Sequence, residues 1–207
     1  MQDASYWDRA AGKTFTHPLG VTFLEALSQE SRILDFGCGY GRSVEELRGR
    51  GFHRAVGVDF SREMVTRGKL EAPGLDLRHI DALPVDEMDG TFDAAMLVAV
   101  LTCIVADDDQ ASVLKEVHRL LRPGGIVLIS DMLLQHDARN QARYASGEGS
   151  RAFGVFETDD GALVRHHTEA DIPRWLSGFE LLDRRSVELQ TMNGNAALGL
   201  QLVAKKI

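Results

Sequence analysis

The run Asp35-Phe36-Gly37-Cys38-Gly39-Tyr40-Gly41 sets three glycines at alternate positions behind a short apolar stretch, Ile33 to Phe36. Glycines between a strand and a helix let the backbone approach a ligand closely, where the first N–H groups of the helix point outward. A nucleotide-like cofactor suits such a turn. The spacing departs from the dinucleotide fingerprint, which wants glycine at the first, third and sixth places; counted from Gly37, the sixth place is Arg42. Two further acids stand at the ends of apolar stretches, Asp59 after Ala55 to Val58 and Asp81 after Leu75 to Ile80.

The elements that must position these groups alternate in type. Ile33 to Phe36 reads as a strand, and Arg42 to Arg50 spaces Val44 and Leu47 as a helix does. Ala55 to Asp59 is a second strand, with Ser61 placed to cap a helix begun by Glu63, Met64 and Val65. Leu75 to Ile80, Phe92 to Val98 and Ile126 to Ser130 follow as strands of the buried, parallel kind. Before the last of them, Ala111 to Leu121 carries Val113, Leu114, Val117, Leu120 and Leu121 at helical spacing, with Asp107 to Asp109 as a solvated acidic lead-in. After Asp131 the rhythm breaks. Ala138 to Tyr144 is a polar helical stretch, Ala152 to His167 holds two short strand-like pieces around Asp159-Asp160-Gly161, and Glu169 to Leu176 is a helix. Glu180 to Thr191 and Leu198 to Lys205 then form two strands across an Asn193-Gly194 hairpin turn.

This pattern predicts an α/β fold: a three-layer sandwich on a mostly parallel seven-stranded sheet, its last strand antiparallel, with a small lid insertion after the fifth strand. Residues 1–207 read as one domain, with 1–31 as an N-terminal cap segment and 132–168 as the lid. Ligands of such sheets bind beyond the carboxyl ends of the strands.

With Asp35, Gly37, Gly39 and Gly41, the chain resembles the class I methyltransferases that use S-adenosyl-L-methionine. Three further motifs keep the family's order: Val56-Gly57-Val58-Asp59-Phe60, Phe92-Asp93-Ala94-Ala95-Met96 and Leu120-Leu121-Arg122-Pro123-Gly124-Gly125. The resemblance spans Arg32 to Asp131. It implies that Asp59 binds both ribose hydroxyls, a task suited to two acceptor oxygens in one plane. It implies also that Asp81-Ala82 meets the adenine, and that Phe60, Leu97 and, from the cap, Trp7 touch the cofactor. Cys38, at a variable place in the glycine motif, reads as a small buried filler beside the cofactor rather than a nucleophile.

Methyl transfer from a sulfonium is an in-line displacement in which alignment is worth about 7–11 kcal/mol, and a general base adds a factor of about 10²–10⁴. A base is thus optional, and histidine is its natural form. His166 and His167 end the lid's second strand-like piece, where adjacent rings point to opposite faces. One faces the pocket as a base, or both are surface polar residues ahead of the next helix. His17, in the polar and aromatic segment Lys13 to Pro18, is a third candidate, with packing or helix capping as the competing account. Tyr6 and Lys13 share that segment's interest. Asn193 is open to a substrate contact, and Tyr144, Phe153 and Phe156 form either an aromatic wall or the lid's own core.

A net charge of -8 over 207 residues argues against a nucleic-acid partner, whose phosphates require lysine and arginine. No stretch is long and apolar enough to span a membrane, and no Cys-x-x-Cys pair or metal cluster stands out. The expectation is a cytoplasmic enzyme, monomer or homodimer, that methylates an O or N atom of a small-molecule metabolite. The place after the fourth strand reads Leu97-Val98-Ala99-Val100 rather than the Asn-Pro-Pro-Tyr of base and glutamine methylating enzymes. Two rivals stand beside this reading: a non-catalytic cofactor-binding or sensor member of the fold, and an NAD(P)-binding oxidoreductase, which Arg42 at the sixth place opposes.

Overall fold

The computed structural model describes residues 4–146 and 153–207; residues 1–3 of the expected cap and 147–152 of the expected lid lie outside them. A short helix α1 (Ala4–Arg9) and a second, α2 (Val21–Glu25), precede the alternating part. That part runs β1 (Ile33–Phe36), α3 (Arg42–Gly49), β2 (Ala55–Asp59), α4 (Arg62–Glu71), β3 (Asp76–His79), β4 (Phe92–Val98), α5 (Asp107–Leu120) and β5 (Leu121–Met132). The lid follows as α6 (Ala138–Ser146) and a two-stranded hairpin, β6 (Val155–Glu157) and β7 (Leu163–Arg165). A short helix α7 (Ile172–Trp175) leads to β8 (Phe179–Gln190) and β9 (Ala196–Lys206).

The main sheet has seven strands in the order β3-β2-β1-β4-β5-β9-β8, with β9 antiparallel to both of its neighbours. Period-two alternation divides the strand side chains between two cores. Leu34, Phe36, Ala95 and Leu97 pack with α5 and with Trp175 of α7. Ile33, Ala94 and Met96 point the other way, onto Phe23 of α2, Val44 and Leu47 of α3 and Val65 of α4. The expected three layers are therefore present. Each fully buried aliphatic or aromatic side chain contributes about 1.5–3 kcal/mol, which explains why β1 is buried along its whole length.

A third, smaller core ties cap to lid: Tyr6 and Ala10 pack with Tyr144, Phe156, Ala162 and Val164. Local sequence explains the element ends. The Ser61 hydroxyl caps α4 by accepting the Met64 N–H. The expected helix over Glu169 to Leu176 is instead a 3₁₀ turn, Glu169–Asp171, followed by α7, whose Pro173 sits in the first turn and donates no N–H. Asp107 and Asp108 are exposed in the first turn of α5, as expected, and Asp107 is paired as well. Arg165 of the lid hairpin and Arg174 of α7 reach it at 2.5 and 2.7 Å, and despite burial these hydrogen bonds hold its carboxyl below the usual range.

Candidate active site

The carboxyl ends of β1, β2, β4 and β5 open into one cavity of about 220 Å³, roofed by the cap, the lid and the β8–β9 turn. Its floor is the glycine loop. Gly37, Gly39 and Gly41 all have positive φ, which suits residues without a Cβ. At Gly37 a Cβ would lie 2.7 Å from Val100 Cγ2, whereas at Gly39 it would meet only Met64 Sδ, at 3.9 Å. Gly39 thus leaves its side of the loop open for a ligand to approach.

Asp59 holds that loop. Its Oδ2 accepts the Gly39 N–H at 2.7 Å and its Oδ1 accepts the Ser61 N–H at 2.7 Å. Each oxygen keeps a second lone pair for a ligand hydroxyl. Burial raises the Asp59 carboxyl above its ordinary range, and the two backbone N–H groups pull it back down. Asp35, deeper in the same cavity, is raised to about 7 by burial, with Arg42 opposing and Asp59 adding to the rise. Loop and acids together fit S-adenosyl-L-methionine, a molecule bearing a ribose diol and a positive charge.

Across the cavity, β4 ends in a strained turn. Ala99 has φ 57, rare for a residue with a Cβ and costing about 1–3 kcal/mol. The surrounding bonds hold it there. Its N–H donates to Ser130 O at 2.8 Å, and Cys103 Sγ donates to Ala99 O at 3.2 Å. Next to it, both oxygens of the fully buried Asp131 accept the Thr102 N–H, and Oδ1 also accepts that of Met132. The Thr102 hydroxyl donates onward to Arg165 O in the lid, so the turn links sheet to lid.

Not every expected site residue reaches the cavity. Trp7, His17, Asp35, Gly37, Cys38, Gly39, Asp59, Phe60 and His166 line it; Gly41 supports the loop from behind, N-capping α3. Leu97 does not, because the pleat turns it into the α5 side core, where it is fully buried; Val98, Ala99 and Val100 take its place. Asp81 and Ala82 also lie outside. The Asp81 side chain is 85% exposed and faces Arg62 at 3.6 Å and His79 at 3.7 Å. His167 points away from the cavity, edge-on to Trp175, and burial depresses it to about 3. Phe153 is exposed, whereas Tyr144 and Phe156 do form the lid's core.

The two histidines that line the cavity are both neutral at pH 7. His17 is depressed to about 4 by burial and by Arg42, whose guanidinium also grips the His17 carbonyl at 2.5 Å. His166 is likewise depressed to about 4 by burial, with Arg143 and Arg139 adding to it. His17 Nε2 is buried and has no hydrogen-bond partner among the described residues. Sequence reading missed the clasp over the cavity mouth. The Asp160 carboxylate of the lid receives the Tyr6 hydroxyl at 2.7 Å, the Lys13 ammonium, the Thr158 hydroxyl at 2.6 Å and the Asn193 amide at 3.3 Å. Nothing local signals this meeting of cap, lid and β8–β9 turn, because its partners lie as far as 154 residues apart.

Comparison with known proteins agrees with this geometry. A family model described as a methyltransferase domain matches residues 33–125. A phosphatidylethanolamine N-methyltransferase of Cereibacter sphaeroides is 32% identical over 163 residues, covering 75% of this chain and 74% of that protein. An O-methyltransferase of Penicillium expansum is 28% identical over 157 residues; the match covers 68% of this chain and 55% of the fungal enzyme's length. Among solved structures, an S-adenosylmethionine-dependent methyltransferase of Methanosarcina mazei superposes with a TM-score of 0.84 at 26% identity, covering 92% of this chain and 99% of that one. The glycine loop, the acid at the end of β2 and the sheet order together place this chain in the class I family of S-adenosylmethionine-dependent methyltransferases.

Proposed function

We propose that the chain transfers a methyl group to an O or N atom of a small metabolite with a flat, largely apolar body. The observation that carries this reading is the continuity of the cavity: the cofactor loop and a wall built from Trp7, Phe15, Tyr40 and Phe156 line one space. Aromatic walls with a few polar groups are the usual lining of a small-ligand site. Asp59 would hold the ribose through its free lone pairs, the open side of Gly39 would admit the cofactor, and Asp35 would face its positive end.

When bound, the cofactor supplies an already activated methyl on sulfur. The chain's own residues align the acceptor and exclude water. His17 and His166, both depressed to about 4, are weak bases at neutral pH, so they abstract few protons from an ordinary alcohol. The site therefore favours acceptors that are nucleophilic without help, such as a ring nitrogen or an acidic hydroxyl. His17 is the residue suited to take up a proton late, through its unpartnered Nε2. Leu97, Asp81, Ala82 and His167 have no part in this reading.

The test is calorimetric titration with S-adenosylmethionine, S-adenosylhomocysteine and NADH, followed by a screen of hydroxylated and nitrogenous aromatic metabolites read by release of S-adenosylhomocysteine. Binding of the first two compounds and turnover with a member of the screen support the proposal. Tight binding without turnover on any acceptor favours the non-catalytic alternative, and binding of NADH alone refutes the reading.

A further inference from the structure

The lid fixes the tautomer of His166, and with it the chemistry offered to the substrate. Tyr144 is 3% exposed and its hydroxyl has two partners among the described residues. The Gln135 backbone N–H, 2.9 Å away, is only ever a donor, so it occupies a lone pair of the phenol oxygen. The other partner is His166 Nδ1, at 2.7 Å. Were that nitrogen also to donate, the buried phenol proton would have no acceptor, at a cost of about 1–3 kcal/mol. The satisfied arrangement runs in one direction: Gln135 N–H to Tyr144 O, then Tyr144 O–H to His166 Nδ1. A neutral imidazole that accepts at Nδ1 carries its proton on Nε2.

From this we infer that His166 is a hydrogen-bond donor at the acceptor end of the cavity, where it positions a carbonyl or carboxylate oxygen of the methyl acceptor. It is not the base. Its surroundings point the same way. Arg139 and Arg143 of α6 also line the cavity, Arg143 with its guanidinium 5.1 Å from the Phe156 ring centre, and Asp137 and Asp159 pair with them at 4.0 and 3.3 Å. An oxygen-bearing, acceptor-rich edge on a flat ring is the ligand that this end fits. The inference rests on the proposed small-molecule reading for its ligand, but not for its tautomer.

Two measurements test it. Long-range ¹H–¹⁵N NMR of the full chain, with the His166 signals assigned by their loss in His166→Phe, reports the tautomer directly. The Nε2–H form is expected in the wild type from pH 6 to 8, and a mixture in Tyr144→Phe, which keeps the ring packing. A wild-type Nδ1–H form overturns the inference. In the second measurement, protein saturated with S-adenosylhomocysteine is titrated with benzoate and with benzylammonium. Benzoate is expected to bind more tightly, and its affinity to fall fivefold or more in His166→Phe and in Tyr144→Phe. Preference for benzylammonium, equal benzoate affinity in all three proteins, or no benzoate binding at millimolar concentration overturns the inference. Because S-adenosylhomocysteine binding is read in the same samples, its absence sinks the methyltransferase reading, whereas its presence without the benzoate pattern sinks only the role of His166.

Discussion

Replacing Asp59 by Asn preserves the side chain's shape while removing its charge and one acceptor. The two carboxylate oxygens serve the Gly39 and Ser61 N–H groups, each at 2.7 Å. An amide offers one oxygen and one NH₂, so one of those N–H groups must face another donor. A hydrogen bond to a charged group is worth about 1.5–3 kcal/mol, which corresponds to roughly a 10- to 150-fold change in an equilibrium that depends on it. Since the same carboxylate is to receive the ribose, the affinity for S-adenosylhomocysteine should fall by at least that factor. Stability should fall less, because burial already penalises the Asp59 charge and the amide relieves that cost. Calorimetric titration gives the first quantity and urea denaturation the second. An Asp59→Asn protein that binds within threefold of wild type would show that the loop and the cofactor do not depend on this carboxylate.

Further perturbations follow from the same contacts. A Cβ at Gly68 of α4 would sit 2.4 Å from the Tyr40 backbone oxygen and 2.5 Å from Leu77 Cδ1, so Gly68→Ala should cost about 1–3 kcal/mol in urea denaturation despite alanine's better helix propensity; an unchanged midpoint would refute the close packing. Asp160→Ala should alter global stability by less than about 1 kcal/mol, its ion pair being partly exposed, yet speed release of S-adenosylhomocysteine several-fold in stopped-flow; an unchanged release rate would mean that the clasp does not control access. The pH dependence of stability follows from opposing groups. Between pH 4.5 and 6.5 the unfolded chain protonates His17, His166 and His167 while the folded chain, with these depressed to about 4, 4 and 3, does not. Over the same range the folded chain retains protons on Asp35 and Asp131, both raised to about 7, that the unfolded chain has lost. Near pH 5 these five groups leave the unfolded state with close to one proton more, and near pH 6.5 with none, so through them stability should fall by about 1 kcal/mol per unit of acidification in the lower half of that window and little in the upper half. In His167→Phe the balance is even and the slope should flatten; a slope unchanged by the substitution would refute this assignment.

What the sequence made legible was what local chemistry determines. The glycine turn follows from backbone angles that other residues adopt at a cost, and the strands follow from short apolar runs bounded by turn residues. Leu97 shows where the reading stopped short: Phe92 to Val98 is nearly all apolar, so which parity faces α5 and which the opposite layer depends on the packing of helices elsewhere in the chain. His166 and His167 repeat the lesson. Adjacency predicted opposite faces, and the choice between them is made by lid contacts: the Tyr144 hydroxyl, 22 positions away, and a bridge from His167 to Leu133. Asp81 has the right place in the chain for an adenine contact, yet an exposed bend carries it toward Arg62 and His79.

The small core shared by α1 and the lid has a consequence for how this chain is remodelled. The matched family region, 33–125, contributes the glycine loop, while the walls around the proposed acceptor space come largely from residues before and after it. Those walls are one interlocked unit: Tyr6 and Ala10 rest on Tyr144 and Phe156, and Asp160 binds Lys13 and Asn193. Grafting a foreign lid onto this sheet would strand the resident cap against a surface that it was not shaped for. A transplant that changes the acceptor must carry the leading segment, the lid and the β8–β9 turn together, and it can leave the glycine loop as it stands.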